Sequence, residues 1–107
     1  MGGGIILKGH LDLLLLAAVR VGPSHGYQIS REVKRRSRGE FDLSEGAVYG
    51  ALHRLEDEGF LRSRKEIREG RECRVYDLTK KGHRELEEQE ISWRRFARAM
   101  QWVLEAR

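Results

Sequence analysis

The sequence is poor in cysteine, proline and aromatic residues, and each shortage removes a class of protein. Cys73 is the one cysteine among 107 residues, so no disulfide can form within the chain and a reducing, cytoplasmic setting is expected. That thiol and four histidines, His10, His25, His53 and His83, show no paired ligand spacing; neither a metal site nor a cofactor is expected. With Pro23 as the one proline, long helices can run uninterrupted. The apolar run from Leu13 to Val19 is far shorter than the roughly 20 residues of a membrane span, and Asp12 interrupts it upstream. No signal-peptide layout is present, and Ile6 stands where a myristoylation pattern needs Ser or Thr. The chain also lacks a Gly-x-Ser-x-Gly elbow, a phosphate-binding glycine loop and paired carboxylates within an apolar stretch. No catalytic residues, and no enzyme, are expected.

What is present is charge, with 21 Lys and Arg against 17 Asp and Glu. Its placement is uneven. Six basic residues lie between Arg20 and Arg38 against the single Glu32, whereas Ser44 to Arg74 holds seven of each sign. A basic cluster suits a polyanion, and a solvated helix face accounts for it equally well. Charge alone leaves both readings open.

Apolar periodicity and capping residues predict the elements. A first helix runs from about Lys8 to Val21 behind a flexible arm at 1–7, and Gly22-Pro23 stops it. Leu11, Leu14, Leu15 and Ala18 form its core stripe; Leu13 and Leu16 leave it apolar nearly all round, which calls for a second neighbour. Ser24 caps a second helix that carries Tyr27, Ile29 and Val33, ends in Lys34-Arg35-Arg36 and stops at Gly39. Ser44 caps a third helix, with Val48, Ala51, Leu52 and Leu55 on the buried side and Gly46, Tyr49, Gly50 and His53 opposite. Tyr27 and Leu52 are expected in the core. Gly59 is placed as a left-handed C-cap with Phe60 packing back. Leu61–Ile67 and Glu72–Leu78 read as a hairpin around Glu69-Gly70-Arg71. Its inner face stays open, because Ile67 and Val75 favour one register and Tyr76 and Leu78 another. Thr79 caps a final helix reaching about Ala106, roughly 40 Å long.

Three helices, a hairpin and a long helix give the order of a winged helix-turn-helix, mainly α with a small β-hairpin (α+β). The expected division is a DNA-binding domain over 1–78 and a dimerisation helix over 79–107. Beyond Leu86, Trp93, Phe96, Met100 and Val103 form a heptad-like seam. A large aromatic buries about 150–250 Å² when covered, so a second subunit is the expected cover. Leu86, Trp93, Phe96, Met100 and Val103 are assigned to the dimer interface.

Three stretches carry a family resemblance: Gly22-Pro23-Ser24-His25-Gly26-Tyr27, Gly46-Ala47-Val48-Tyr49-Gly50-Ala51-Leu52-His53-Arg54-Leu55-Glu56, and Tyr76-Asp77-Leu78-Thr79-Lys80-Lys81-Gly82. With Trp93 and Phe96 as a Trp-x-x-Phe pair, the chain resembles the PadR family of bacterial transcriptional regulators, in its short form with one C-terminal dimerisation helix. The resemblance implies a homodimer on an inverted-repeat duplex, usually as a repressor, with the third helix in the major groove and the wing along phosphates or the minor groove. It departs where family members commonly have Thr-Leu-Tyr-Pro and this chain has Ala47-Val48-Tyr49-Gly50, so the usual operator sequence is not implied.

The candidate DNA contacts each have a plainer role beside them. Tyr49 presents a ring away from the core, where a capping role competes with phosphate contact. His53 is one turn further on and evenly balanced. Ser44 is a helix cap whose hydroxyl also suits a phosphate, and Gly46 lies on the same face. Arg54 could pair with Glu58 at i+4. Arg68 and Arg71 flank the wing tip, where phosphate contact competes with solvation. Trp93 is first a packing residue. In some relatives the dimer interface encloses a pore in which flat hydrophobic compounds stack on aromatic side chains, and by that resemblance Trp93 is also the effector-binding candidate. The near-neutral third helix and wing keep a second function open, a winged-helix protein-interaction module without DNA binding.

Overall fold

The computed structural model describes residues 10–106. The expected arm at 1–7 and the helix start at Lys8 lie outside these residues. The elements run α1 (His10–Arg20), β1 (Ser24–His25), α2 (Gly26–Arg36), α3 (Glu45–Asp57), β2 (Leu61–Arg68), β3 (Arg71–Leu78) and α4 (Lys80–Glu105). The strands form one antiparallel sheet in the order β1-β3-β2. This is the α+β winged-helix arrangement, with a long C-terminal helix.

The hydrophobic run of α1 is explained by its position, since it touches α2, α3, α4 and β3. Leu15, Leu16, Ala18 and Val19 are buried, while Leu11 and Leu14 of the expected stripe are only half-buried. The stripe is displaced because α1 is enclosed on several sides, so single-face periodicity does not describe it. Ser24 does not cap α2. Its backbone pairs with Tyr76 in β1, and the cap is His25. The His25 Nδ1 accepts from the Gln28 amide at 3.2 Å, and the Gln28 side chain accepts from the His25 amide at 3.2 Å, a capping box built with imidazole. The helix ends at Arg36, three residues short of Gly39.

α3 follows its sequence pattern. Ser44 Oγ accepts from the Ala47 amide at 3.2 Å, and Val48, Ala51, Leu52 and Leu55 are buried. At its end Gly59 takes a φ of +84°, which only glycine adopts freely. The Phe60 amide reaches back to the Leu55 carbonyl at 2.9 Å and the Gly59 amide to Glu56 at 3.0 Å, a Schellman closure.

Pairing across the hairpin sets Leu61 against Leu78, Ser63 against Tyr76 and Ile67 against Glu72. Leu61, Tyr76 and Leu78 join the core. Ile67 and Val75 therefore lie on opposite faces, not one. Ile67 shares the Tyr76 face but lies near the tip, beyond the reach of the helices, and is 79% exposed. Val75 is buried on the other face, paired in register with His25. The turn at Glu69 (φ 52°) and Gly70 (φ 75°) has the two left-handed residues that a tight hairpin needs.

α4 begins against the end of α3. Thr79 Oγ1 donates to the Gly59 carbonyl at 2.6 Å and accepts from the Gly82 amide at 2.9 Å. Lys81 Nζ donates to the Glu58 carbonyl at 2.7 Å, favourably placed at the negative end of α3. A side chain at Gly82 would collide with the Phe60 carbonyl oxygen and lie 3.1 Å from Leu78 Cδ2. One turn on, Leu86 is buried in the core of its own chain. Its expected place in a subunit interface is corrected, because it has no surface left to offer. The core therefore continues past Leu78 into α4.

Gly82→Ala is expected to destabilise the fold. Helix propensity alone favours Ala by up to about 1 kcal/mol, whereas overpacking against a backbone carbonyl costs about 1–3 kcal/mol or more. Urea unfolding should show a clear net loss. A stability equal to or above wild type would contradict the close approach.

Candidate nucleic-acid interface

The outward side of α3 carries Ser44, Gly46, Tyr49 and His53, all solvent-exposed, so the structure brings these four expected residues onto one surface. Tyr49 is not freely projecting. A Cβ built on Gly26 would lie 2.6–2.9 Å from the Cε1, Cζ and hydroxyl atoms of Tyr49. The ring therefore rests on the first turn of α2 while keeping 40% of its surface open. This contact gives a physical reason for glycine between His25 and Tyr27. It fixes the angle at which Tyr49 leaves α3.

Tyr27, expected in the core, is 55% exposed. It lies opposite the buried Ile29 and Val33, and the Arg31 guanidinium stands 5.4 Å from its ring centroid. The His25 ring stacks on it at 6.4 Å. Leu52 is in the core as expected.

Arg54 has carboxylate partners within the chain, the expected Glu58 among them. Two of its nitrogens bond the Asp12 carboxylate of α1 at 2.6 and 3.0 Å, and Nη1 reaches Glu58 at 3.2 Å. The bond to Asp12 and the two neighbouring carboxylates raise its pKa. Bonded to two acids while about half of its side chain stays exposed, this guanidinium ties α3 to α1. The Glu58 partner was foreseeable at i+4; Asp12, 42 residues away, carried no sequence signal.

The wing is rich in cations that are already partnered. Glu66 accepts from Arg64 at 2.7 Å and from Arg68 at 3.0 Å, and these two arginines lower its pKa, Arg68 foremost. Arg62 pairs with Asp77 at 3.2 Å and Lys65 with Glu72 at 3.8 Å. Arg74 donates to Ser63, which donates to Glu56. Arg71 has no ion pair among the described residues. The alternation Arg64-Glu66-Arg68 on one strand face was legible as a period-two pattern.

On α4, Trp93, Phe96, Met100 and Val103 are 42–73% exposed. Trp93 meets His10 edge-on at 5.3 Å and Phe96 at 5.8 Å. Between α1 and α4 they border an open cleft of about 460 Å³, with Asp12, Leu13, Gln89 and Ser92 completing its lining. Among the described residues, no three His, Cys, Asp or Glu side chains cluster as a metal site, and no helix is long and apolar enough to cross a membrane.

Gly26→Ala is expected to cost about 1–3 kcal/mol through collision with Tyr49. Gly26→Ala combined with Tyr49→Ala should recover most of that loss in urea unfolding. Purely additive losses would show that the ring and Gly26 are not in contact.

Residues 15–88 match the transcriptional regulator PadR-like family. Over 74 residues the chain is 35% identical to a transcriptional regulator of Mycobacterium tuberculosis, spanning 69% of this chain and 66% of that protein. A PadR family transcription regulator from Clostridium difficile superposes with a TM-score of 0.78 at 31% identity, over 90% of this chain and 99% of that one. Bacillus subtilis PadR, solved in complex with operator DNA, superposes with a TM-score of 0.70 at 30% identity, over 76% of this chain and 46% of that one. The family match spans well over half of the sequence and takes in α2, α3, the wing and the start of α4, and the chain belongs to the transcriptional regulator PadR-like family.

Proposed function

We propose that the protein is a homodimeric, sequence-specific DNA-binding repressor that reads an inverted-repeat operator in the cytoplasm. The observation that carries this reading is the outward face of α3, where Tyr49 and His53 make no ion pair or side-chain hydrogen bond among the described residues. The operator complex of Bacillus subtilis PadR supports it. In this reading α3 enters the major groove. Ser44 and Gly46 face the backbone at its N-terminus, where helix amides favour phosphate, and Tyr49 and His53 face the bases and their edges. Arg71 contacts phosphate directly, and Arg68 does so by exchanging Glu66 for a phosphate oxygen. Exposed pairs of this kind are worth little, so the exchange is cheap.

Residues up to 78 read DNA in this account, and α4 beyond Leu86 joins the subunits through Trp93, Phe96, Met100 and Val103. The α4 aromatics Trp93, Phe96 and Trp102, which stay 42–67% exposed, support a second copy. A two-fold dimer then places two copies of α3 about one helical turn, roughly 34–36 Å, apart. The cleft beside Trp93 and Phe96 would admit a flat hydrophobic effector. Such a compound relieves repression only if it binds the DNA-incompetent dimer more tightly than the competent one.

Selection from a random duplex pool should return inverted repeats. Tyr49→Ala and His53→Ala should change the preferred sequence, and Arg71→Ala should weaken all sequences alike, lowering the salt slope by about 1 per phosphate lost. Failure of the wild-type protein to retain any duplex would favour a protein-interaction module instead. Trp93→Asp places a charge in the seam, costing several kcal/mol when buried. Sedimentation should show it as a monomer beside a dimeric wild type; a monomeric wild type at micromolar concentration would contradict the assembly.

A further inference from the structure

We infer that the outward face of α4 is a self-association surface, on which two homodimers pair α4 against α4 in antiparallel register to form a tetramer. The inference rests on the seam dimer proposed above and concerns the opposite side of the same helix.

Trp102 follows Trp93 by about 2.5 helical turns, so the two rings leave α4 on opposite sides. A partner on the Trp93 seam leaves Trp102 uncovered, at 67% exposure, and Ile91 with it, at 60%. Starting at Lys80, spacings of three or four residues lead through Arg84, Glu87, Ile91, Arg95, Arg98 and Trp102 to Glu105, one stripe on the face away from the seam. Glu88 lies beside Glu87 on that stripe. All these side chains are exposed. None of the charged ones has an ion pair or side-chain hydrogen bond among the described residues, although Arg84 and Glu88 stand at i and i+4. Toward α1 the charges are matched instead, since Glu90 bonds Arg20 at 3.0 Å and Arg94 at 2.6 Å. The small Ala99 leaves an open depression of about 550 Å³ between Arg95, Arg98 and Trp102.

The order of charges along the stripe selects its occupant. It reads two cations, two carboxylates, Ile91, two cations, Trp102 and a carboxylate. Laid antiparallel on a copy of itself, with a two-fold axis near the level of Ser92, Glu88 meets Arg95 and Glu87 meets Arg98. Lys80 then meets Glu105, and the Arg84 guanidinium meets the Trp102 ring in a cation–π contact. Ile91 falls beside its own copy, offset by about 4–5 Å along the axis. Each pairing occurs twice, as an isologous interface requires, and every charge on the stripe meets an opposite charge or the indole. A parallel copy would set carboxylate on carboxylate and arginine on arginine. A partner of one charge sign would match half of the stripe and be repelled by the rest. Exposed ion pairs are individually weak, so the tetramer is salt-sensitive and forms at high local concentration, as for dimers held on neighbouring sites of one duplex.

Sedimentation of the wild type from micromolar to hundreds of micromolar should show dimers passing to tetramers at about 50 mM salt. At about 500 mM salt, where exposed charges are largely screened, dimers alone should remain. Arg95→Glu/Arg98→Glu and Glu87→Arg/Glu88→Arg should each weaken tetramer formation at least about tenfold while leaving the dimer in place. An equimolar mixture of these two variants should recover the tetramer, because each reversed face then meets its complement. Every substituted side chain is exposed, so both variants should melt as the wild type does. Trp102→Ala, which leaves the charges untouched, should weaken the tetramer and spare the dimer. A wild type that stays dimeric at low salt and high concentration, or a mixture no more tetrameric than its components, overturns the surface and leaves the seam dimer standing. A monomeric wild type overturns both.

Discussion

The structure depends on one close approach, the first turn of α4 against the end of α3. Gly82 lets the α4 backbone lie on the Phe60 carbonyl, and Thr79 and Lys81 bond the Gly59 and Glu58 carbonyls left open by α3. These bonds satisfy helix-terminal groups that would otherwise need water. They also fix the direction in which α4 leaves the body. Arg54, held by Asp12, fixes α3 to α1 from another side. A helix anchored at both its end and its flank turns with the body rather than by itself.

Charge and shape are divided among different elements. α3 carries three carboxylates against Arg54 and presents Tyr49 and His53 outward, while α2 carries four cations against Glu32. The wing falls between them, with Glu66 restraining Arg64 and Arg68. In the proposed DNA-binding reading, a wing with most of its cations paired has a lowered indiscriminate affinity for polyanions, and a phosphate at the correct distance can still displace a solvent-exposed carboxylate. Sequence preference then gains relative to total affinity, because non-specific binding is almost wholly electrostatic.

Elements set by local chemistry were legible in the sequence. Ser44 as a cap, the Val48/Ala51/Leu52/Leu55 stripe, the Gly59 turn and Thr79 as the start of α4 follow from neighbouring residues within a turn or two. What was not legible depends on partners distant in sequence. Ser24 was taken from α2 by pairing with β3, a contact across about 50 residues. Leu86 looked like part of the α4 seam because it is apolar, but it is buried in the core of its own chain. Tyr27 looked like core by composition, yet its angle on α2 points it outward beside Arg31. Asp12, whose carboxylate meets Arg54 only in the folded body, had no sequence pattern to reveal it. The open α4 seam from Trp93 onward was legible, since no other element among the described residues is long enough to cover it.

The central claim is that two copies of this body pair through α4 so that their α3 helices match one turn of DNA. Gly50 lies on the outward side of α3 with open space around it, and it can carry a spin label as Gly50→Cys in a Cys73→Ser background. Pulsed dipolar spectroscopy on the labelled protein without DNA should give a distance centred near 34–36 Å, broadened by the label arms. Absence of dipolar coupling at tens of micromolar, or a sharp distance far from one helical turn, would contradict the account.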